Sequence, residues 1–309
     1  MGALKTLALA VLSILLVASL ASFVVVSTAR ASLLDPGFYK QQLESQGTYA
    51  KLPPYLVDAA VGQMPAEVSQ VLPQEDVRTI LGNVFTAEAV KHQLEPAIDN
   101  SLAYLKGEST ALNITIGMAE VKLGLVNSMG DYLRKKAAEQ GVPAELVDVL
   151  VANLTPASIP LPDSIDVGKE LLASSNAAST VGTLRSAIQL SGVIFTASAV
   201  AVLVLAALII VIAGIPFGAM RALGGAVAAA GAIVLAVAYV APGMAIKFLP
   251  KDIPEIASNL VSGLVNQLAS SLYAPAIALL VFGLAAMAAA IVMARSKSNP
   301  PKPPKASKK

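Results

Sequence analysis

Four stretches of this chain, 6–29, 186–220, 222–246 and 256–294, contain no aspartate, glutamate, lysine, arginine or histidine. A charge at the bilayer centre costs about 2.5–3.5 kcal/mol on insertion scales, and a helix needs about 20 apolar residues to cross the hydrocarbon layer. The first and third stretches fit one helix each, the third at about 222–242. The second fits one helix at about 188–212 followed by the turn Gly214-Ile215-Pro216-Phe217-Gly218. The fourth is too long for one span, and it carries Ser258, Asn259, Ser262, Asn266, Gln267, Ser270 and Ser271 before Pro275. It divides into an amphipathic outer segment over 254–271 and a span at about 273–294. In the amphipathic part, Ile256, Leu260, Val261, Leu264, Val265 and Leu268 recur at steps of three and four and share one helical face. Such a face lies along the membrane interface or packs against neighbouring helices.

Charge sets the orientation. With four spans and an inner N-terminus, the inner segments are 1–5, the turn near 214–221 and 295–309. They hold Lys5, Arg221, Arg295, Lys297, Lys302, Lys305, Lys308 and Lys309 and no acid, and all 20 acidic residues fall on the other side. The bias of lysine and arginine toward cytoplasmic segments then predicts a multi-pass protein of the cell membrane with both termini in the cytoplasm and residues 31–184 outside. Residues 1–30 read as a retained anchor. The alternative is a signal peptide cleaved near Ala29-Arg30-Ala31, an A-x-A pattern. The single Lys5, the length of the apolar stretch and the arginine inside that pattern favour the anchor.

Composition narrows the chemistry. The chain has no cysteine and one histidine, which removes thiol catalysis, cysteine-ligated metal and any site built from two imidazoles of one chain. The formal net charge of +2 lacks the basic field of a nucleic-acid binder. No nucleophile elbow, phosphate-binding glycine loop, dinucleotide fingerprint or zinc-protease motif is present. The spans hold no ionisable acid or base except tyrosine, which argues against a proton relay or voltage sensor. The expectation is a protein without enzymatic activity, with no catalytic, cofactor or metal residues and no cofactor.

Residues 31–184 are long enough for one domain with its own core, and their pattern is mostly helical with at most one or two short strands. The expected fold class is therefore an all-α integral membrane protein, with four transmembrane helices and an extracytoplasmic helical domain. Asp35-Pro36 reads as an N-cap and first-turn proline, with Gly47 as the stop. Pro54 opens a helix through Gln63. Pro73-Gln74-Glu75-Asp76 opens another, with Val77, Ile80, Leu81 and Val84 on its apolar face. Thr86 caps a longer segment that stops at Gly107 and that Pro96 should kink or split. Leu112-Asn113-Ile114-Thr115-Ile116 alternates as a strand does. Residues 117–140 form a helix ended by Gly141, Pro143 starts the next, 155–163 form a proline-rich loop, and 165–185 lead helically into the second span.

Leu34-Asp35-Pro36-Gly37-Phe38-Tyr39-Lys40-Gln41-Gln42-Leu43, followed by Gly47-Thr48-Tyr49, resembles an uncharacterised family of prokaryotic multi-pass membrane proteins. So do Leu94-Glu95-Pro96-Ala97-Ile98-Asp99, Tyr104-Leu105-Lys106-Gly107, and Ile114-Thr115-Ile116 ahead of Lys122. The resemblance covers the first span and most of the outer domain. It implies the architecture of an extracytoplasmic helical domain between the first and second spans, and no activity or functional residue.

One constellation outside the membrane has ligand-like spacing. Glu88, His92, Glu95 and Asp99 stand four, three and four residues apart on one helical face. Two carboxylates and an imidazole could hold a divalent ion, but a solvated face opposite Val90, Leu94 and Ile98 accounts for the same pattern, and Pro96 disturbs the alignment. Arg134-Lys135-Lys136 reads as a solvated helix end rather than a headgroup contact. Asn113-Ile114-Thr115 and Asn153-Leu154-Thr155 match glycosylation acceptors.

The third and fourth spans are rich in small residues, among them Gly225/Ala229 and Ala285/Ala289, which permit close helix approach within the chain or between copies. The tail 296–309, with its prolines and lysines, should be disordered and able to meet anionic lipid. Together these features predict a non-enzymatic membrane protein whose outer domain binds an envelope or surface partner. Its expected partners are membrane lipids, a protein reached through the outer domain or the spans, and a second copy of the chain, with no nucleic acid. The alternative is a subunit of a pore or transporter formed by the Gly/Ala-rich spans.

Overall fold

The computed structural model describes residues 2–62, 73–159, 162–173, 175–213, 216–247 and 255–298. The tail beyond 298, the Gly214-Ile215 turn, Gln63 and residues 160–161 of the proline-rich loop lie outside the described residues, as does the first residue of the 254–271 segment. Among the described residues the chain is all-α, with four apolar helices long enough to cross a membrane and a mostly helical region that holds one small two-stranded sheet. It is a multi-pass helical membrane protein. It divides into two compact units, one of residues 1–33, 188–253 and 261–309 and one of 34–187 and 254–260.

The membrane unit is built on α1 (Gly2–Leu33), α9 (Ser175–Ala213), α10 (Pro216–Lys247) and α11 (Glu255–Ser298). Leu16, Ile209 and Ala226 form one buried cluster, and Ala21, Val24, Ala230, Val234, Ala238, Leu272 and Ala276 form another. Large apolar side chains such as Ile14, Leu203, Val211 and Phe282 point outward, as a lipid-facing surface requires. Two cations latch α1 to α9. The Lys5 ammonium donates to the carbonyl of Ala213, the last residue of α9, at 3.2 Å. The Arg30 guanidinium donates to the Ile188 carbonyl at 3.0 Å and the Ser191 hydroxyl at 2.7 Å. At 1.5 Å per residue these cations stand about 37 Å apart along α1, enough to bracket a hydrocarbon layer of about 30 Å.

Proline behaves differently from the expectation. Pro216 is the first residue of α10, where its missing N–H costs nothing. Pro275, read as the start of a separate span, stands inside α11, which runs unbroken from the amphipathic segment into the apolar one.

The inter-span unit begins with α2 (Pro36–Ser45). The Asp35 carboxylate accepts from the Gly37 N–H at 2.9 Å, and Gly47 ends the element in the left-handed region at φ 62°. Next comes α3 (Thr48–Gly62), which starts before Pro54 and carries Pro53 and Pro54 inside it. α4 (Gln74–Val84) has Glu75 and Asp76 in its first turn and buries Val77, Ile80 and Val84. α5 (Ala87–Lys106) is capped by the Thr86 hydroxyl and ends at Gly107, φ 83°. Pro96 does not split it. The proline is exposed and stands inside an element that runs from Ala87 to Lys106.

β1 (Thr115–Gly117) leads into α6 (Ala119–Glu139), α7 (Ala144–Asn153) and a single 3-10 turn at Pro156–Ser158. β2 (Ser164–Asp166) then pairs antiparallel with β1, with Ile116 opposite Ile165. The helix expected over 165–185 thus begins only at Val167, after a second strand that sequence alternation did not show. After β2 comes α8 (Val167–Ala173), whose Gly168 N–H donates to the Ile114 carbonyl at 3.2 Å. A side chain at Gly168 would run into the Leu112 carbonyl, so glycine is required for this approach.

Leu43, Tyr49 and Val90 form a core that Leu52, Leu94, Ile98 and Leu260 flank. Leu260 comes from the first turns of α11, and the Gln46 amide donates to the Asn259 carbonyl at 3.0 Å. Residues 254–260 therefore group with this unit.

Candidate functional site

The face read as a possible ion site is dispersed by the fold. His92 Nδ1 lies 3.5 Å from the Glu120 carboxylate of α6. Glu95 lies 3.9 Å from Lys91, which also reaches Glu44 at 3.1 Å. Asp99 meets the Lys40 ammonium of α2 at 2.8 Å. Glu88 is exposed. His92 and Asp99 thus face partners on other helices and Glu95 one on its own, and among the described residues no three acidic or imidazole groups converge. The basic run is likewise matched by local acids, Arg134 by Asp148 at 3.0 Å and Lys136 by Glu139 at 3.3 Å. Asn113 and Asn153 are both exposed, and the Asn153 amide donates to the Val149 carbonyl at 2.8 Å.

A buried cation was missed in the sequence. Lys122 is 7% exposed, and its ammonium donates to the Asp163 carboxylate at 2.7 Å while the Asp163 carbonyl accepts from the Met118 N–H at 2.9 Å. The hydrogen bond from Lys122, and then its charge, hold the Asp163 carboxyl below its ordinary value. This pair ties the start of α6 to the segment entering β2.

Beside these groups lies the feature with the clearest binding character. Residues of α3, α4, α5, β1, α6 and β2 line a cavity of about 420 Å³. Leu52, Leu56, Val84, Phe85, Ala89, Val90, Leu94, Ile116, Met118, Val121 and Ile165 supply its apolar wall. Its polar members are largely satisfied from within. The Gln93 amide accepts from the Gly117 N–H at 3.1 Å and donates to the Gly117 carbonyl at 3.4 Å. The Thr86 hydroxyl accepts from the Ala89 N–H at 3.2 Å. Glu120, whose side chain is 67% exposed, turns toward His92, and Asn83 is exposed. A largely apolar recess with a few polar groups at its mouth is the usual form of a small-ligand site.

No sequence signal announced it. Its wall is assembled from short apolar steps on six elements, none of which is distinguishable from core in one dimension.

Comparison of the chain with protein-family models, with curated proteins and with solved structures finds no match in any of the three. The functional reading therefore rests on the chain's own geometry.

Proposed function

We propose that this is a non-enzymatic, multi-pass protein of the cell membrane whose extracytoplasmic unit, residues 34–187 with 254–260, binds an envelope or surface partner. The cavity carries the reading. Apolar recesses of a few hundred Å³ mark binding sites on small domains, and this one is formed by the part of the chain that lies between spans. The acidic groups near it are engaged by Lys40, Lys91 and His92, an arrangement suited to holding a surface together.

Two observations support the orientation. The basic residues gather on one side of a four-span arrangement. Residues 254–260 also group with 34–187, as both must if the first and third connections lie on the same face of the membrane. The same proposal sets the chain beside the prokaryotic multi-pass family that its sequence resembles. The small residues of α10 and α11 support binding over pore formation, since Gly224, Gly231 and Gly283 are taken up in packing between those two helices.

A photo-crosslinking amino acid at Leu56, on the cavity wall and 39% exposed, tests the reading in intact cells against the same group at Leu150, 62% exposed and outside the cavity lining. The expected result is a discrete adduct from position 56 and none from 150. Adducts confined to span positions such as Leu203 and Val211 would favour the pore or transporter alternative and overturn the reading.

A further inference from the structure

We infer that the cavity of the inter-span unit receives a single aliphatic chain with an uncharged head, such as the hydrocarbon tail of a neutral lipid. This rests on the binding role proposed above and names the ligand class for that same site.

Size comes first. A methylene fills about the volume of a water molecule, ~30 Å³, so 420 Å³ matches roughly a dozen carbons in a row. Lining from six elements encloses the space from several directions, which suits a narrow flexible chain better than a rigid helix laid across a surface.

Polarity decides between a hydrocarbon and a peptide. A peptide entering the cavity would bring backbone N–H and C=O groups that must find partners or cost free energy. The wall offers few. Both ends of the Gln93 amide are bonded to Gly117, and the Thr86 hydroxyl already accepts the α5 cap bond, which leaves a single O–H donor there. β1 is bonded to β2 on one side and met by Gln93 at Gly117, so strand addition at that residue is blocked. An occupant without internal polar groups has nothing to leave unsatisfied there.

Charge selects the head. The exposed polar side chains of the lining are Asn83, Thr86 and Glu120, the last faced by His92 at 3.5 Å, and the segment 31–184 carries 18 acidic against 10 basic residues. A phosphate or carboxylate head would be repelled by Glu120, whereas a hydroxyl can donate to it and accept from Asn83. The membrane spans of the same chain keep the unit beside a reservoir of such tails.

The test uses the absence of tryptophan. Leu56→Trp places the only indole of the full-length protein, held in nanodiscs of unlabelled phospholipid, on the cavity wall. ω-Bromododecanol, an uncharged single-chain quencher, is then titrated in. Quenching at position 56 should saturate, while Leu150→Trp in a separate protein is quenched only weakly and in proportion to concentration. Adding Ala89→Phe to fill the cavity should raise the half-quenching concentration at least about tenfold. If that variant loses its helical circular dichroism, Val121→Gln, which puts an amide in the wall, serves in its place. Linear quenching of equal strength at 56 and 150, or saturable quenching unchanged in a folded Val121→Gln protein, would overturn the proposal. A crosslinked protein partner at position 56 with no saturable quenching would do so too, yet leave the partner-binding reading standing.

Discussion

Gly283 of α11 lies against the backbone of Gly224 of α10. A Cβ placed on Gly283 would stand 2.6 Å from the Gly224 carbonyl oxygen, and one placed on Gly224 would stand 2.9 Å from the Gly283 carbonyl oxygen. Such separations are not found for real side chains, so the crossing of these two helices depends on glycine at both positions. In lipid there is no hydrophobic drive between helices, and packing at this distance is what replaces it. Gly283→Leu should lower the melting temperature of the purified full-length protein, a loss of about 1–3 kcal/mol, with Gly283→Ala intermediate. Gly243→Ala, on the same α10 but with no neighbour within 4 Å of a new Cβ, should leave it unchanged or slightly raised. A melt of Gly283→Leu indistinguishable from the parent would contradict the crossing.

The Lys122–Asp163 pair gives the inter-span unit an acid-sensitive contact. Asp163 titrates below its ordinary value because Lys122 bonds to it. The unfolded carboxyl, near 3.9, therefore takes up a proton before the folded one does. The stabilisation is complete above the unfolded value and is lost as pH falls through the folded value. Melting temperatures between pH 7 and pH 3 should include a small fall below about pH 4, small because the Asp163 side chain is 90% exposed, and Asp163→Asn should start slightly lower and fall less in that window. Lys122→Met, which keeps a buried stem, should be milder than Lys122→Ala. An Asp163→Asn profile parallel to the parent would remove the pair from the account.

Tyr49 makes the opposite case. The residue is 6% exposed, and among the described residues its hydroxyl has no hydrogen-bond partner. Burial, followed by the charges of Glu95 and Glu44, pushes its ionisation up, so the group stays a neutral phenol. Deleting a buried hydroxyl without a partner removes a desolvation cost and keeps the ring against Leu43 and Val90. Tyr49→Phe should leave stability equal or raise it by up to about 1 kcal/mol in the same melting assay. A clear drop would mean that the hydroxyl is bonded in solution.

Much of this architecture was readable in one dimension wherever the signal was local. Asp35, Thr86, Gly47, Gly107 and Gly141 mark helix ends by conformations that their own side chains or lack of one dictate, and the four apolar stretches declare themselves by length. Proline misled at Pro54 and Pro275 and did not split the helix at Pro96, because a helix survives a missing N–H where the freed carbonyl can find another partner. β2 went unseen because three residues are too few for alternation to register. Its partner strand, 51 residues earlier at Thr115 opposite Asp166, supplies what makes it a strand. The cavity and the Lys122–Asp163 pair have the same origin, contacts distant in sequence. So does Leu260, which lies next to Leu43 and Tyr49 only after the chain has crossed the membrane unit three times.

The dispersal of Glu88, His92, Glu95 and Asp99 predicts a negative titration. Calcium requires six to eight oxygen ligands, and here the carboxylates are drawn to Lys40 and Lys91 while the imidazole is drawn to Glu120. Calorimetric titration of the full-length protein with calcium, zinc and manganese should show no saturable binding tighter than about millimolar. Micromolar binding abolished by both His92→Ala and Glu95→Ala would make this face a metal site after all.

The orientation has a direct chemical assay, because the chain contains no cysteine. Ser109 follows α5 in the inter-span unit, and Ser298 is the last described residue of α11. If four helices cross the bilayer, these two positions lie on opposite sides. On the proposed orientation, which the eight basic residues of segments 1–5, 214–221 and 295–309 motivate, Ser298 is expected on the cytoplasmic side. The two latches fit this arrangement, since Lys5 joins the first helix's start to the end of α9 and Arg30 joins the first helix's end to Ile188, earlier in α9. Ser109→Cys should react with an impermeant maleimide on intact cells, and Ser298→Cys only after the membrane is permeabilised. The same result is expected for Asn259→Cys as for Ser109→Cys, because residues 254–260 group with the inter-span unit. Labelling of position 298 on intact cells would invert the topology. Labelling of 109 without 259 would keep the first two spans and require a different path for the last two.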